Sequence, residues 1–315
     1  MPSYIGQIIG QVNLVTEACG PILLFGENID TGSRIGGLAR GLKVNPTGRI
    51  QNVGNCELTH CGVGLGMLLD GGQAALFVKQ LDFMLLGLDQ ICSTFNFIRA
   101  YRPRSSWGSF TIFVIVCDQG YQGPQSSMNS AGDFASLANV PVYCLNGAAD
   151  ASRVIDHHFA SPGFRMICLS QRMFGSPALE TPAEWVSADS GIFRYKSGSG
   201  MTIVSFNFSL SDTLDMDATL REANVQSDVF HVNFVPGMDI GPIMESCRHT
   251  GKLIVVDDSK TVTKFGDAIV AELCLREIPV KLLAFNRRGC SDDDYGASED
   301  RLLPDFEKAL AFSRR

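Results

Sequence analysis

The sequence predicts an α/β protein that consists of two tandem domains, and three observations support this fold class. The chain has 315 residues, which exceeds the usual size of a single domain. Short apolar runs alternate with longer amphipathic segments, as expected for strands that lead into helices around a parallel sheet. A stretch rich in serine, proline and glycine, residues 176–200, separates two such sets of elements and predicts an interdomain linker.

The first domain is predicted to span residues 1–182 and to contain a parallel sheet. Apolar runs predict strands at 22–25, 75–78, 111–117, 140–144 and 165–169. Apolar residues at helical spacing predict helices at 59–69, 82–99 and 148–158.

The second domain is predicted to span residues 200–315, after a linker at 183–199. The same patterns predict strands at 201–206, 229–234, 252–256 and 280–285, and helices at 265–277 and from 303 onwards. We therefore expect a second α/β unit of smaller size.

Charge and apolar composition exclude several functional classes. The formal net charge of -7 and the pI near 5.3 argue against a nucleic acid or an anionic membrane surface as partner, because these need clustered cations. The sequence contains no run of roughly 20 apolar residues, and its first residues lack the pattern of a signal peptide. These features predict a cytoplasmic protein.

Common catalytic and metal-binding motifs are absent from the sequence. The ten cysteines occur singly, without metal-ligand spacing, and the sequence has no G-x-S-x-G turn and no Walker loop. The glycines of GVGLG, residues 62–66, fall inside a predicted helix, which favours close helix packing over phosphate binding. His157, His158 and His249 lie near predicted helix ends and His231 lies in a predicted strand, so we interpret these four as structural.

Glu57 is the strongest candidate for a functional residue. It lies in QNVGNCELTHCGVGLG, where a turn enters an apolar, glycine-rich helix, so we expect it to be shielded from water. A shielded carboxylate is a candidate general acid or base, because its protonation depends on its surroundings. A carboxylate in the first turn of a helix can equally serve to accept hydrogen bonds from backbone N–H groups. The local pattern leaves both interpretations open.

The region around Glu57 resembles the cofactor-binding region of the beta subunits of 2-oxo-acid dehydrogenase decarboxylase components. That family shows a glutamate, a helix with spaced glycines, a strand, and a motif similar to D-F-M-L-x-x-x-D-Q-I. Here the glutamate is Glu57, the glycines are Gly62 and Gly66, and the motif spans residues 82–91. Further similarity occurs in GEN at 26–28, in Gly36-Gly37, and in residues 249–272.

The resemblance implies a transketolase-like fold with a pyrimidine-binding domain followed by a transketolase C-terminal-like domain. It also implies that Glu57 hydrogen-bonds the aminopyrimidine ring of thiamine diphosphate and that Phe83 packs on this ring. By the same resemblance, Leu58, Asp82 and Leu86 complete the cofactor-binding set. No metal ligand is expected in this chain.

The diphosphate is expected on another chain. In the family, a G-D-G motif followed by paired asparagines binds the diphosphate together with magnesium. Gly132-Asp133 and Gly266-Asp267 lack both the third glycine and the asparagines. The resemblance therefore implies an alpha-type partner that carries the magnesium site, in an α2β2 assembly.

One position departs from the family pattern. Ser126 in GPQSSMNS stands where the family has a loop histidine that takes part in proton transfer, so it is the second candidate catalytic residue. A hydroxyl group cannot replace an imidazole as an acid or base near neutral pH. Three explanations remain open: the partner supplies a histidine, the substrate needs no such transfer, or ordinary activity is lost.

The function implied is decarboxylation of a 2-oxo acid or cleavage of a ketose, with transfer of the two-carbon or acyl unit. The acceptor could be a lipoyl or acyl carrier protein. Two alternatives are the C-terminal half of a split transketolase and a non-catalytic pseudo-subunit.

Overall fold

The computed structural model describes residues 2–119, 127–287 and 300–314. Within the first of the two sheets in this part of the chain, six strands run parallel in the order β2-β1-β3-β4-β6-β5. Its strands are β1 Ile22–Gly26, β2 Arg49–Asn52, β3 Gln73–Val78, β4 Ser109–Val116, β5 Val142–Leu145 and β6 Gly163–Ser170. Its helices are α1 Tyr4–Ala18, α2 Glu57–Leu69, α3 Phe95–Tyr101, α4 Ala131–Ala138 and α5 Ala148–Val154.

The central strands of this sheet are covered on both faces. Every residue of β4 is buried, and helices pack on either side of the sheet. Parallel strands enclosed in this way are expected to read as continuous apolar runs rather than as alternating patterns. This confirms the five strands predicted for this half of the chain.

Strand β2 was not predicted, although it pairs with β1 along its whole length. Its sequence, RIQN, has no apolar run, because β2 lies at the edge of the sheet and its residues are only partly covered. An edge strand of this kind has a weak sequence signal.

The prediction of one regular helix at 82–99 was wrong in its geometry. The segment begins with 3-10 turns at Leu81–Gly87 and has a π turn at Gln90–Thr94 before α3 begins. A 3-10 turn has 3.0 residues rather than 3.6, so the side chains fall out of phase with the predicted apolar face. Leu86, assigned to that face, is consequently 65% exposed.

The second sheet is mixed, with the order β12-β11-β9-β10-β8-β7 within the described residues. Four of its strands are parallel, and β8 and β7 add in antiparallel fashion beside β10. Its strands are β7 Trp185–Val186, β8 Ile192–Lys196, β9 Met201–Phe206, β10 Ser227–Val232, β11 Lys252–Asp257 and β12 Lys281–Asn286. Its helices are α6 Leu210–Glu222, α7 Gly241–Thr250, α8 Phe265–Leu275 and α9 Phe306–Ser313. The predicted fold class is confirmed.

The segment predicted as a linker, 183–199, contributes two strands to the second sheet. Strands β7 and β8 form a hairpin there, and Ile192, Phe193 and Tyr195 of β8 are buried. The turn between them includes Ser190 in a left-handed conformation with φ 54°. Serine- and glycine-rich composition therefore marks a turn and an edge hairpin rather than an irregular connection. The domain boundaries themselves remain a prediction.

Side chains of the two sheets pack together in a shared apolar cluster. A single cluster of buried side chains includes Val114 of β4 as well as Val204 of β9 and Val255 of β11. Backbone hydrogen bonds join the halves where Val142 and Phe234 each donate to the other, at 2.9 and 3.0 Å. In the described part of the chain, no helix is long and apolar enough to cross a membrane.

Candidate active site

Glu57 is the first residue of α2, directly after the turn that follows β2. Its side chain is only 7% exposed, which confirms that the carboxylate is largely shielded from bulk water. The helix is held close to the sheet, because a Cβ at Gly64 would lie 2.1 Å from the Phe110 ring. Close packing, predicted for the glycines of this helix, is confirmed at Gly64 but not at Gly62 or Gly66, where an added Cβ would meet no atom closer than 3.7 Å.

Glu57 lines a pocket of about 230 Å³ at the carboxyl ends of β1 and β3. This is the edge at which open parallel sheets commonly bind ligands. Glu27 and Asn28 line the pocket just after β1, and Lys79 and Phe83 line it just after β3.

The Glu57 carboxylate receives no hydrogen bond from the residues that the structure describes. In particular, the backbone N–H of His60 donates to the Cys56 carbonyl at 3.0 Å rather than to the Glu57 side chain. The helix-capping interpretation therefore has no support in the described contacts. The carboxylate is available to a ligand as a hydrogen-bond acceptor.

Phe83 is the second predicted site residue that reaches the pocket. It belongs to the 3-10 turns after β3, whereas Glu57 begins α2, so the tertiary structure brings together two segments that are separate in sequence. An anionic acceptor and an aromatic ring at one pocket form a suitable set for a flat heterocycle with N–H donors.

The other predicted site residues lie outside this pocket. Leu58 is 45% exposed, and Leu86 lies on the outer side of its turn. The Asp82 carboxylate accepts a hydrogen bond from the backbone N–H of Met128 at 3.2 Å, and burial raises its pKa. Asp82 therefore holds the chain that follows residue 126. Ser126 lies outside the described residues.

His60 lines the pocket and was not identified as a candidate from the sequence. It follows Glu57 by three positions, and this spacing places two side chains on the same face of a helix. Burial lowers the pKa of His60, while the Glu57 carboxylate opposes this effect. The spacing of the two residues was the signal available in the sequence.

The charges around the pocket favour a neutral or donor-rich ligand portion over an anionic one. Glu27 and Glu57 are two carboxylates, whereas Lys79 is the cationic side chain among the described lining residues. Like charges in a partly enclosed site repel an incoming phosphate. Among the described residues, no group of three or more His, Cys, Asp or Glu side chains is arranged to hold a metal ion.

Larger cavities exist elsewhere in the described structure. One of about 430 Å³ lies beside Phe234 and Met238, and another of about 500 Å³ lies beside Trp185 and His249. Neither contains a predicted site residue. We therefore take the Glu57 pocket as the candidate active site.

Comparison with solved structures shows that the chain has a transketolase-like α/β fold. A split-gene transketolase, described as an inactive beta4 tetramer, matches with a TM-score of 0.71 and 18% identity over 99% of both chains. A transketolase from Campylobacter jejuni matches with a TM-score of 0.66 and 11% identity over 99% of this chain and 46% of that chain.

Sequence comparison identifies more particular relatives. The chain is 23% identical over 263 residues to a pyruvate dehydrogenase E1 component subunit beta of Staphylococcus aureus, which covers 82% of this chain and 80% of the relative. The same subunit of Staphylococcus epidermidis is 21% identical over 276 residues, covering 87% of this chain and 85% of the relative. No family model matches the chain. The chain is thus a transketolase-like relative of these beta subunits, which confirms the resemblance read from the sequence.

Proposed function

We propose that this chain is the beta-type subunit of a thiamine-diphosphate-dependent enzyme and that Glu57 activates the cofactor. The observation that carries the proposal is the meeting of Glu57 and Phe83 at one pocket. The two residues are the acceptor and the aromatic side chain that the family resemblance assigns to the aminopyrimidine ring.

The pocket fits the pyrimidine portion of this cofactor in its chemistry. The Glu57 carboxylate would accept a hydrogen bond from the ring, and the Phe83 side chain would pack on its face. Thiamine diphosphate, when bound, supplies a carbanion-stabilising group that amino acid side chains lack. Because Glu57 is largely shielded, bulk water competes little for its carboxylate.

The same pocket is unsuited to the diphosphate. Glu27 and Glu57 would repel it, so we place the diphosphate and its magnesium ion on an alpha-type partner. The staphylococcal relatives are subunits beta, which supports a multi-subunit enzyme of this type. We propose an α2β2 arrangement in the cytoplasm.

The reaction we propose is decarboxylation of a 2-oxo acid, with transfer of the resulting acyl or two-carbon unit. The names of the staphylococcal relatives support a 2-oxo acid as donor. We propose a lipoyl or acyl carrier protein as acceptor. Ser126 remains a candidate catalytic residue on sequence grounds alone.

A second candidate function is the C-terminal half of a split transketolase. It is favoured by the split-gene transketolase chain, whose length this chain matches over 99% in both directions. The reconstituted complex distinguishes the two functions, because one cleaves a ketose phosphate and the other releases CO₂ from a 2-oxo acid.

The decisive experiment is Glu57→Gln in the complex with the alpha-type partner. The amide keeps the size of the side chain but loses the anionic acceptor, so we expect exchange of the thiazolium C2 proton for deuterium to slow at least 100-fold. Proton NMR of acid-quenched samples measures this rate without knowledge of the substrate. An unchanged rate of C2 proton exchange in Glu57→Gln would refute the proposal.

Glu222→Gln is the matched control for Glu57→Gln. Glu222 is an exposed glutamate at the end of α6, so the same substitution there should leave the exchange rate unchanged. Calorimetric titration of thiamine diphosphate, with and without the partner, tests the pseudo-subunit alternative. A pseudo-subunit adds no affinity, whereas the proposed subunit does.

A further inference from the structure

The chain has five histidines, all within the described residues, and only His60 lines the Glu57 pocket. Its position in the site needs an explanation of its own. The resemblance that identifies Glu57 and Phe83 assigns no role to this histidine.

The His60 side chain is buried and lines the same pocket as Glu57. It is 7% exposed, and its ring lies edge-on to the Phe25 ring with 6.3 Å between centroids and 88° between planes. Residues three apart on a helix have Cβ atoms about 5–6 Å from each other. The two side chains thus lie on one face of α2 and line one pocket, and the Glu57 carboxylate acts electrostatically on the imidazole of His60.

The charged groups that line the pocket with His60 come from three segments. Glu57 belongs to the same helix, and Glu27 follows β1; both carboxylates act to raise the pKa of His60. Burial acts more strongly in the opposite direction, so the pKa lies below its ordinary value of 6.5. Lys79, after β3, is the cation in the described lining. Burial therefore favours the neutral form of the ring.

We propose that His60 is a positioning residue that acts through Glu57. With a neutral ring, the Glu57 carboxylate is free to accept a hydrogen bond from a bound ligand. With a charged ring, the carboxylate is drawn into an ion pair with the imidazolium and is withdrawn from the ligand. This inference rests on the proposed function, because it specifies how the activating glutamate is controlled.

The test compares His60→Gln with the wild type in the reconstituted complex loaded with thiamine diphosphate. Glutamine can still form hydrogen bonds but cannot become charged. The measured quantity is the rate of thiazolium C2 proton exchange in the variant divided by the rate in the wild type. We expect this ratio to rise about tenfold as the pH is lowered from 8 to 5, because the variant cannot form the charge-assisted bond. A ratio that does not vary with pH would overturn the proposal. An exchange rate that falls equally at all pH values, together with a lower melting temperature, would mean that His60 has a structural role and would also overturn the proposal.

His249→Gln provides the matched control, since His249 is exposed in the last turn of α7 and lies away from the pocket. Its pH profile should follow the wild type.

A second measurement applies if His60→Gln does not fold. Proton NMR of the imidazole in the wild-type and Glu57→Gln chains should show a lower pKa for His60 once the carboxylate is gone. An unchanged pKa would refute the coupling. Unaltered exchange in Glu57→Gln would instead refute the proposed function, and an inactive Glu57→Gln beside a pH-independent His60→Gln ratio would remove only the role of His60.

Discussion

Two regions of the molecule hold shielded carboxylates, and their surroundings differ. At the pocket, no described residue donates a hydrogen bond to Glu57. At the junction between the sheets, Arg172 forms ion pairs with Asp118 at 3.0 Å and with Asp258 at 2.7 Å. Ser170 also donates to Asp118 at 2.6 Å, and Asn207 donates to Asp258 at 2.7 Å.

The difference separates a structural carboxylate from one that is available to a ligand. Removing a charge from water is costly, and the junction supplies partners that offset part of this cost. The pocket leaves one acceptor without a partner among the described residues, in a place that a ligand can reach. Burial of a carboxylate therefore does not by itself indicate function. A shielded carboxylate that lines a pocket and has no hydrogen-bond donor among the described residues does.

The largest expected effect is at the junction. Arg172→Met removes the shared partner of two buried carboxylates, so we expect the free energy of unfolding to fall by about 3–5 kcal/mol. Urea unfolding followed by circular dichroism measures the change. Arg276→Met is the control, since Arg276 pairs with Glu272 on an exposed helix face and should cost less than about 1 kcal/mol. An equal loss of unfolding free energy in the two variants would contradict the prediction that the buried ion pairs of Arg172 matter more than the exposed pair of Arg276.

The second prediction concerns pH at the same junction. Burial outweighs Arg172 and Ser170 and raises the pKa of Asp118 from 3.8 to about 6. The folded state therefore retains a proton that the unfolded state releases, so stability falls as the pH rises from about 4 to 6. At 1.36 kcal/mol per pKa unit, this loss is at most roughly 3 kcal/mol.

Asp118→Asn isolates this contribution, because the amide does not titrate. Unfolding free energies from pH 4 to pH 7 should decline more steeply for the wild type than for the variant. Parallel curves would show that the ionisation of Asp118 is not linked to folding.

The smallest expected effect concerns the helix that carries Glu57. Gly64→Ala places a methyl group against Phe110, so we expect a loss of about 1–3 kcal/mol in unfolding free energy and weaker thiamine diphosphate binding. Gly66→Ala on the same helix meets no atom within 4 Å and should stabilise the protein by about 0.5–1 kcal/mol. Thermal melts and calorimetry measure both quantities. Similar stability of the two variants would argue against close packing of α2.

Much of the fold could be predicted because buried parallel strands leave a continuous apolar signal. Strands β4 and β6 were evident for this reason, whereas the edge strand β2 was missed. The composition of residues 183–199 predicts a linker, whereas these residues include the hairpin of β7 and β8, since serine and glycine indicate a turn but not what the turn connects. Local composition does not report long-range pairing.

The candidate site could be predicted only in part. Glu57 and Phe83 were identified through a motif, and both line the pocket. Leu58, next to Glu57, and Leu86, in the motif of residues 82–91, are both exposed, because helical phase decides which side chains face the sheet. His60 was identified as a candidate only because it lines the Glu57 pocket in the structure.

The sequence by itself determined the two-domain α/β class, the resemblance to the beta subunits and the position of Glu57 in an apolar, glycine-bearing helix. Apolar runs and motifs are local, so they can be read along the chain. Only the tertiary structure decided which charges are compensated. It joins Asp118, Arg172 and Asp258 at the sheet junction and brings Glu57, His60 and Phe83 to one pocket. The reason is physical: hydrogen bonds and ion pairs depend on distances that close only when separate strands and helices pack together.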